Sequence, residues 1–163
     1  MGNSITFKVK PDWEKIENIR NESAEFLHSH KIPDETIYSL SMIVSELIEN
    51  GIKYGHFMME NKVLTVEINV KNESIIIEVF NPIDKSSIKN LSKLDKTIQW
   101  IRGFQDPFEA YIERLKDVSK KPLHDKESGI GLVRIAYEGN ALLDFFVSDN
   151  NILNVSAIAN IED

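Results

Sequence analysis

Two apolar-rich runs, each followed by a polar quartet and a second apolar-rich run, restrict this chain more than any other feature. Leu64, Val66, Ile68 and Val70 alternate with Thr65, Glu67 and Asn69, Lys71-Asn72-Glu73-Ser74 follows, and Ile75 to Phe80 reads as the next strand. A period of two places one set of side chains on one face of a sheet, so residues 62–70 and 75–80 are expected to pair as a hairpin. Leu142 to Val147 and Ile152 to Ile158, split by Ser148-Asp149-Asn150-Asn151, repeat the signal. Ile5 to Val9 alternates as well and stops before Pro11, giving a further strand.

Helical periods occupy the spaces between these runs. Asp12 is a suitable N-cap for Trp13, Ile16, Ile19, Ala24, Phe26 and Leu27, and Pro33-Asp34-Glu35 opens a longer helix reaching about Tyr54. The segment from Asn81 to Ser128 is too long for a bare loop in a compact domain. Asp106-Pro107-Phe108-Glu109 starts a helix inside it, and Phe108, Tyr111, Ile112, Leu115 and Val118 form its apolar stripe. That stripe is expected to dock on the core, with a partner surface or a cover over a ligand as the alternative. Hairpins with grouped helices predict an α+β, two-layer sandwich: a mixed, mostly antiparallel sheet covered on one face by helices. The chain is expected to be one domain, 1–163, with a long helical insertion at about 85–128.

Composition removes several function classes. There are no cysteines, hence no disulfide, thiolate catalysis or cysteine metal site, and a reducing compartment, the cytoplasm, is the expected location. The N-terminus lacks a basic segment followed by an apolar one, so a secretory leader is not expected, and no apolar run is long enough to cross a membrane. A formal charge of −7 argues against nucleic acid as a partner. His28, His30, His56 and His124 show no metal-ligand spacing, and Ser4, Ser45 and Ser128 sit in no readable serine-hydrolase arrangement.

The long helix carries the chemistry. At 100° per residue, Asn50 lies about 40° and Lys53 about 20° from Glu46, while Ile37, Leu40, Val44, Leu47 and Gly51 cluster opposite. A carboxylate and a carboxamide at i and i+4 can hold a water and a hard cation such as Mg²⁺. The same spacing also suits the solvated side of an ordinary amphipathic helix. Ser128-Gly129-Ile130-Gly131-Leu132 then puts two glycines ahead of a short amphipathic helix, where backbone N–H groups attract phosphate and missing side chains allow close approach.

These two motifs, in this order, resemble those of the GHKL ATPase superfamily, and within it the anti-sigma-factor serine kinases. Ser45-Glu46-Leu47-Ile48-Glu49-Asn50 is similar to the family's Glu-x-x-x-Asn box, and Gly129-Ile130-Gly131-Leu132 to its Gly-x-Gly-Leu lid end. The order of strands and helices resembles the family over nearly the whole chain. The resemblance implies a histidine-kinase-like ATPase fold, ATP and Mg²⁺ as cofactors, and phosphorylation of a serine or threonine. The partner it implies is a small anti-sigma-antagonist-like protein or a sigma factor, with a homodimer also compatible. It implies Glu46 as general base, Asn50 as the Mg²⁺ ligand, Lys53 as a phosphate-neutralising cation, and Gly129, Gly131 and Leu132 around the triphosphate. Where the family has Asp-x-Gly-x-Gly after the central hairpin, this chain reads Asn81-Pro82-Ile83-Asp84. Asn81 takes the aspartate's position, and its amide oxygen can accept the adenine amino hydrogen bond without a charge, hence more weakly. The competing expectation is a non-catalytic interaction module on the same fold, its nucleotide binding lost or altered.

Overall fold

The computed structural model describes residues 3–55, 63–84, 88–119 and 130–161. Strand β1 (Ser4–Val9) leads through helices α1 (Trp13–Ser29) and α2 (Asp34–Tyr54) to the hairpin β2 (Leu64–Val70) and β3 (Ser74–Pro82). Helices α3 (Ile88–Arg102), α4 (Pro107–Ser119) and α5 (Ile130–Tyr137) then precede the hairpin β4 (Ala141–Val147) and β5 (Ile152–Asn160). The five strands form one sheet in the order β1-β2-β3-β5-β4. All four pairings are antiparallel, so the sheet is wholly antiparallel instead of mixed. The architecture is the expected α+β two-layer sandwich.

Local chemistry accounts for the elements. Asp12 caps α1, its Oδ1 accepting from Glu14 N at 2.9 Å, and Asp106 does the same for Phe108 N at 3.0 Å, with Pro107 first in α4. Helix α2 lacks a side-chain cap but carries Asp34 and Glu35 in its first turn, where the helix dipole favours carboxylates. Helix α3 is absent from the sequence reading, which placed a single helix in the 81–128 segment. Its apolar positions Leu94, Ile98 and Ile101 are all buried, and the polar residues between them dilute the period.

Alternation sorts the sheet into a covered and an open face. Leu64, Val66, Ile68, Ile75, Ile77, Val79, Val155 and Ala157 are buried beneath the helices. The other face pairs Glu67 with Glu78 and Ser156 with Asp144, and Leu142 and Phe146 on it are 70% and 56% exposed. Helix α2 is buried on more sides than its amphipathic period suggests. Leu40, Met42, Ile43, Val44, Leu47 and Ile48 are all in the core, because α2 packs against the sheet, α1 and α5. The α4 stripe docks only partly, since Tyr111 and Ile112 are half-buried whereas Phe108 and Leu115 remain 43% and 38% exposed.

The turn after α5 is equally tight. A methyl added at Gly139 would lie 2.6 Å from the Ile135 carbonyl oxygen and 2.7 Å from Ile43 Cδ1. Neither a backbone carbonyl nor a core side chain can yield cheaply. Gly139→Ala is therefore expected to lower stability by about 1–3 kcal/mol, measured as a lower urea midpoint at unchanged m. No helix among the described residues is long and apolar enough to cross a membrane.

Candidate functional site

Helices α2 and α5 bring the two sequence motifs into contact. Helix α5 begins at Ile130, so Gly131 lies within its first turn instead of ahead of it. A methyl at Gly131 would come 2.3 Å from Glu46 Oε2 and 3.2 Å from Glu46 Cδ. Any larger side chain here would push the flexible carboxylate aside, so the glycine is what lets Glu46 rest against the start of α5. Glu46 and the second glycine of the later motif therefore lie against each other. Gly129 lies outside the described residues. Leu132 is 3% exposed and packs in the core, so its side chain serves the fold and only its backbone can face a ligand.

Glu46 is not on a solvated face. Its side chain is 18% exposed and its Oε1 lies 3.2 Å from Arg134 Nη1. Burial pushes its carboxyl above the ordinary carboxylate range and the charge of Glu49 adds to the push. Arg134 opposes the shift, and Glu138 reinforces it. A carboxyl raised in this way is a stronger base than an ordinary carboxylate and is suited to accepting a proton.

One turn further along α2, Asn50 is half-buried and its Nδ2 has no hydrogen-bond partner. Across from the next residue, Asn81 is 1% exposed at the end of β3. Its Oδ1 would lie 3.5 Å from a methyl placed on Gly51. Asn81 Oδ1 also lacks a partner, and Asn81 Nδ2 makes only a long 3.5 Å contact to Pro82 O. Unmade bonds at buried amides are costly, and two such amides flank the same turn of α2. Lys53 is exposed in the last turn of that helix, about two turns from Glu46.

These residues fit a magnesium–nucleotide ligand in donor chemistry. The amide oxygen of Asn50 is a hard donor suited to Mg²⁺, the N–H groups at the α5 start suit phosphate, and the orphan oxygen of Asn81 suits an amino donor. Among the described residues no group of three or more His, Cys, Asp or Glu could hold a metal. A hard cation here would thus depend on phosphate oxygens and waters for the rest of its shell. A groove of about 500 Å³ lies apart from these residues, between α3 and α4, lined by Trp100, Phe104 and Phe108 and by Glu109, Glu113 and Asp117.

Sequence reading missed Arg134. Its separation of 88 residues from Glu46 hides the pair, and the available signals were its place one turn after Gly131 and its i,i+4 spacing to Glu138.

No protein-family model matches the chain, and no curated protein matches it by sequence. In shape, it is similar to a chain in the crystal structure of the SiaB-SiaC complex from Pseudomonas aeruginosa, with a TM-score of 0.71 and 18% identity. The match covers 94% of this chain and 88% of that one, so the two share a fold over nearly their whole lengths.

Proposed function

We propose that this chain binds Mg-ATP between α2 and α5 and phosphorylates a serine or threonine of a small partner protein in a partner-switching pathway. The observation that carries the reading is the contact between Glu46 and Gly131, which sets a basic carboxylate against a helix start able to take phosphate. The resemblance of both motifs to the anti-sigma-factor kinases supports the ATP assignment. The neighbour of related fold is crystallised as a complex of two proteins, which supports a protein partner.

In this reading Glu46 accepts the proton of the partner's hydroxyl as its oxygen bonds to the γ-phosphorus, and the bond to the bridging oxygen of ADP breaks. Asn50 holds the cation, the first turn of α5 holds the phosphates, and Asn81 receives the adenine amino group. Bound Mg²⁺ supplies neutralisation of charge on the β- and γ-phosphates. Catalysis by so few groups is reasonable because phosphoryl transfer is mainly positioning and charge compensation.

The second reading is a non-catalytic interaction module. The replacement of Asp-x-Gly-x-Gly by Asn81-Pro82-Ile83 favours it, since the uncharged amide is a weaker acceptor. Titration calorimetry with Mg-ATP decides between the two. Micromolar binding by the wild type, lost by at least tenfold in Asn50→Ala, is the expected result; no binding at millimolar ATP overturns the nucleotide reading and leaves the interaction module.

A further inference from the structure

Arg134 stands at the centre of the candidate site without belonging to either motif. Its Nη1 donates to Glu46 Oε1 at 3.2 Å, while Nε and Nη2 donate to Glu138 Oε2 at 3.2 and 3.1 Å. Glu138, the residue just past the end of α5, therefore anchors the fork of the guanidinium, and Nη1 reaches across to α2. The side chain is 36% exposed, so the guanidinium keeps further N–H groups open on a side that solvent reaches. Arg134 also lies three residues after Gly131, on the same side of α5, next to the turn where phosphate would sit.

Electrostatics says what such a group does. The charges of Glu49 and Glu138 oppose the ionisation of Glu46, and Arg134 is hydrogen-bonded to both Glu46 and Glu138. A triphosphate brought to this place offers a planar guanidinium more negative charge and better bidentate acceptors than one carboxylate does. In the arrangement described here, however, Arg134 occupies a lone pair of the carboxylate that must take the hydroxyl proton.

We propose that Arg134 is a phosphate-contacting and positioning residue that clamps Glu46 while nucleotide is absent and transfers its Nη1 hydrogen bond to the terminal phosphate when nucleotide enters. Glu138 holds the other edge of the guanidinium throughout, so the exchange needs only a small rotation of the side chain. Glu46 is then free to accept a proton only when a phosphoryl group is present to be transferred. The device couples base availability to nucleotide occupancy, and it rests on the nucleotide reading of the site.

The test is titration calorimetry of wild type, Arg134→Ala and Arg134→Lys with Mg-ATP and, separately, with AMP. Arg134→Ala is expected to weaken Mg-ATP by about tenfold to a hundredfold, the loss of one charge-assisted bond. AMP, which lacks the outer phosphates, should change by less than about twofold. Arg134→Lys should recover part of the ATP affinity, because an ammonium restores the charge but not the fork. Equal weakening of ATP and AMP would show a structural role and overturn the proposal, as would unchanged or tighter ATP binding in Arg134→Ala. If the wild type itself binds no Mg-ATP, the underlying nucleotide reading fails, a result distinct from wild-type binding that Arg134→Ala leaves intact.

Discussion

Glu46→Gln is expected to bind Mg-ATP within a few-fold of wild type yet transfer its phosphoryl group about a hundredfold to ten-thousandfold more slowly, the usual range for a positioned general base. Glutamine keeps the shape and the hydrogen bond from Arg134 Nη1 but cannot take a proton. The wild-type transfer rate should fall on an acid limb lying above the ordinary carboxylate range, because burial and Glu49 raise the Glu46 carboxyl against the pull of Arg134. The variant should lack that limb. Full transfer by Glu46→Gln from radiolabelled ATP to a partner protein that the wild type phosphorylates would remove Glu46 from the chemistry.

The same substitution has a stability signature of opposite sign. A carboxyl whose folded pKa lies above its unfolded one contributes stability that is complete below the unfolded value and is lost as pH rises through the folded value. Wild type should lose that contribution between the usual glutamate range and the raised value, whereas Glu46→Gln should not. Urea midpoints of the two proteins should therefore diverge in favour of the variant on going from about pH 4 to about pH 7. A residue that costs stability at the pH where it is ionised is one the fold alone does not call for.

How much of this was visible in the sequence depends on the range of the interaction. The pairing of residues 64–70 with 74–82 and of 141–147 with 152–160 follows from apolar-rich runs split by a short polar turn, and the caps at Asp12 and Asp106 are local chemistry. Helix α3 escaped because its buried residues Leu94, Ile98 and Ile101 are spaced among Lys93, Asp95, Lys96 and Gln99, with no strong start signal. The face shared by Glu46 and Asn50 was legible from the helical period. Its half-burial was not, since the cover comes from α5, far away along the chain. The Arg134–Glu46 pair was hidden for the same reason, as was the isolation of the Asn81 oxygen, which depends on Gly51 from another element.

Asn81→Leu should make the protein more stable and, at the same time, unable to hold an adenine nucleotide. Asn81 is 1% exposed, its Oδ1 has no partner and its Nδ2 reaches only Pro82 O at 3.5 Å, at the outer limit of a hydrogen bond. The fold therefore bears the desolvation of an amide and recovers little of it. Leucine has the same branching at Cγ, so it sets the same number of heavy atoms in the same place. Removing the orphaned polar atoms should raise stability by about 1–2 kcal/mol, measured as a higher urea midpoint. If Asn81 Oδ1 is the adenine acceptor, affinity for Mg-ATP should fall at least a hundredfold, as happens when a site loses the partner of a buried donor. Asn81→Asp supplies the opposite arm. It puts a carboxylate where the resembling family has one, so it should tighten adenine nucleotides several-fold while lowering stability through the buried charge. A less stable Asn81→Leu that still binds Mg-ATP like the wild type would show that the amide is a structural group. Opposite movements of stability and affinity in the two variants would show that the position is kept polar for a ligand, because a core selected only for packing has no use for an acceptor that accepts nothing.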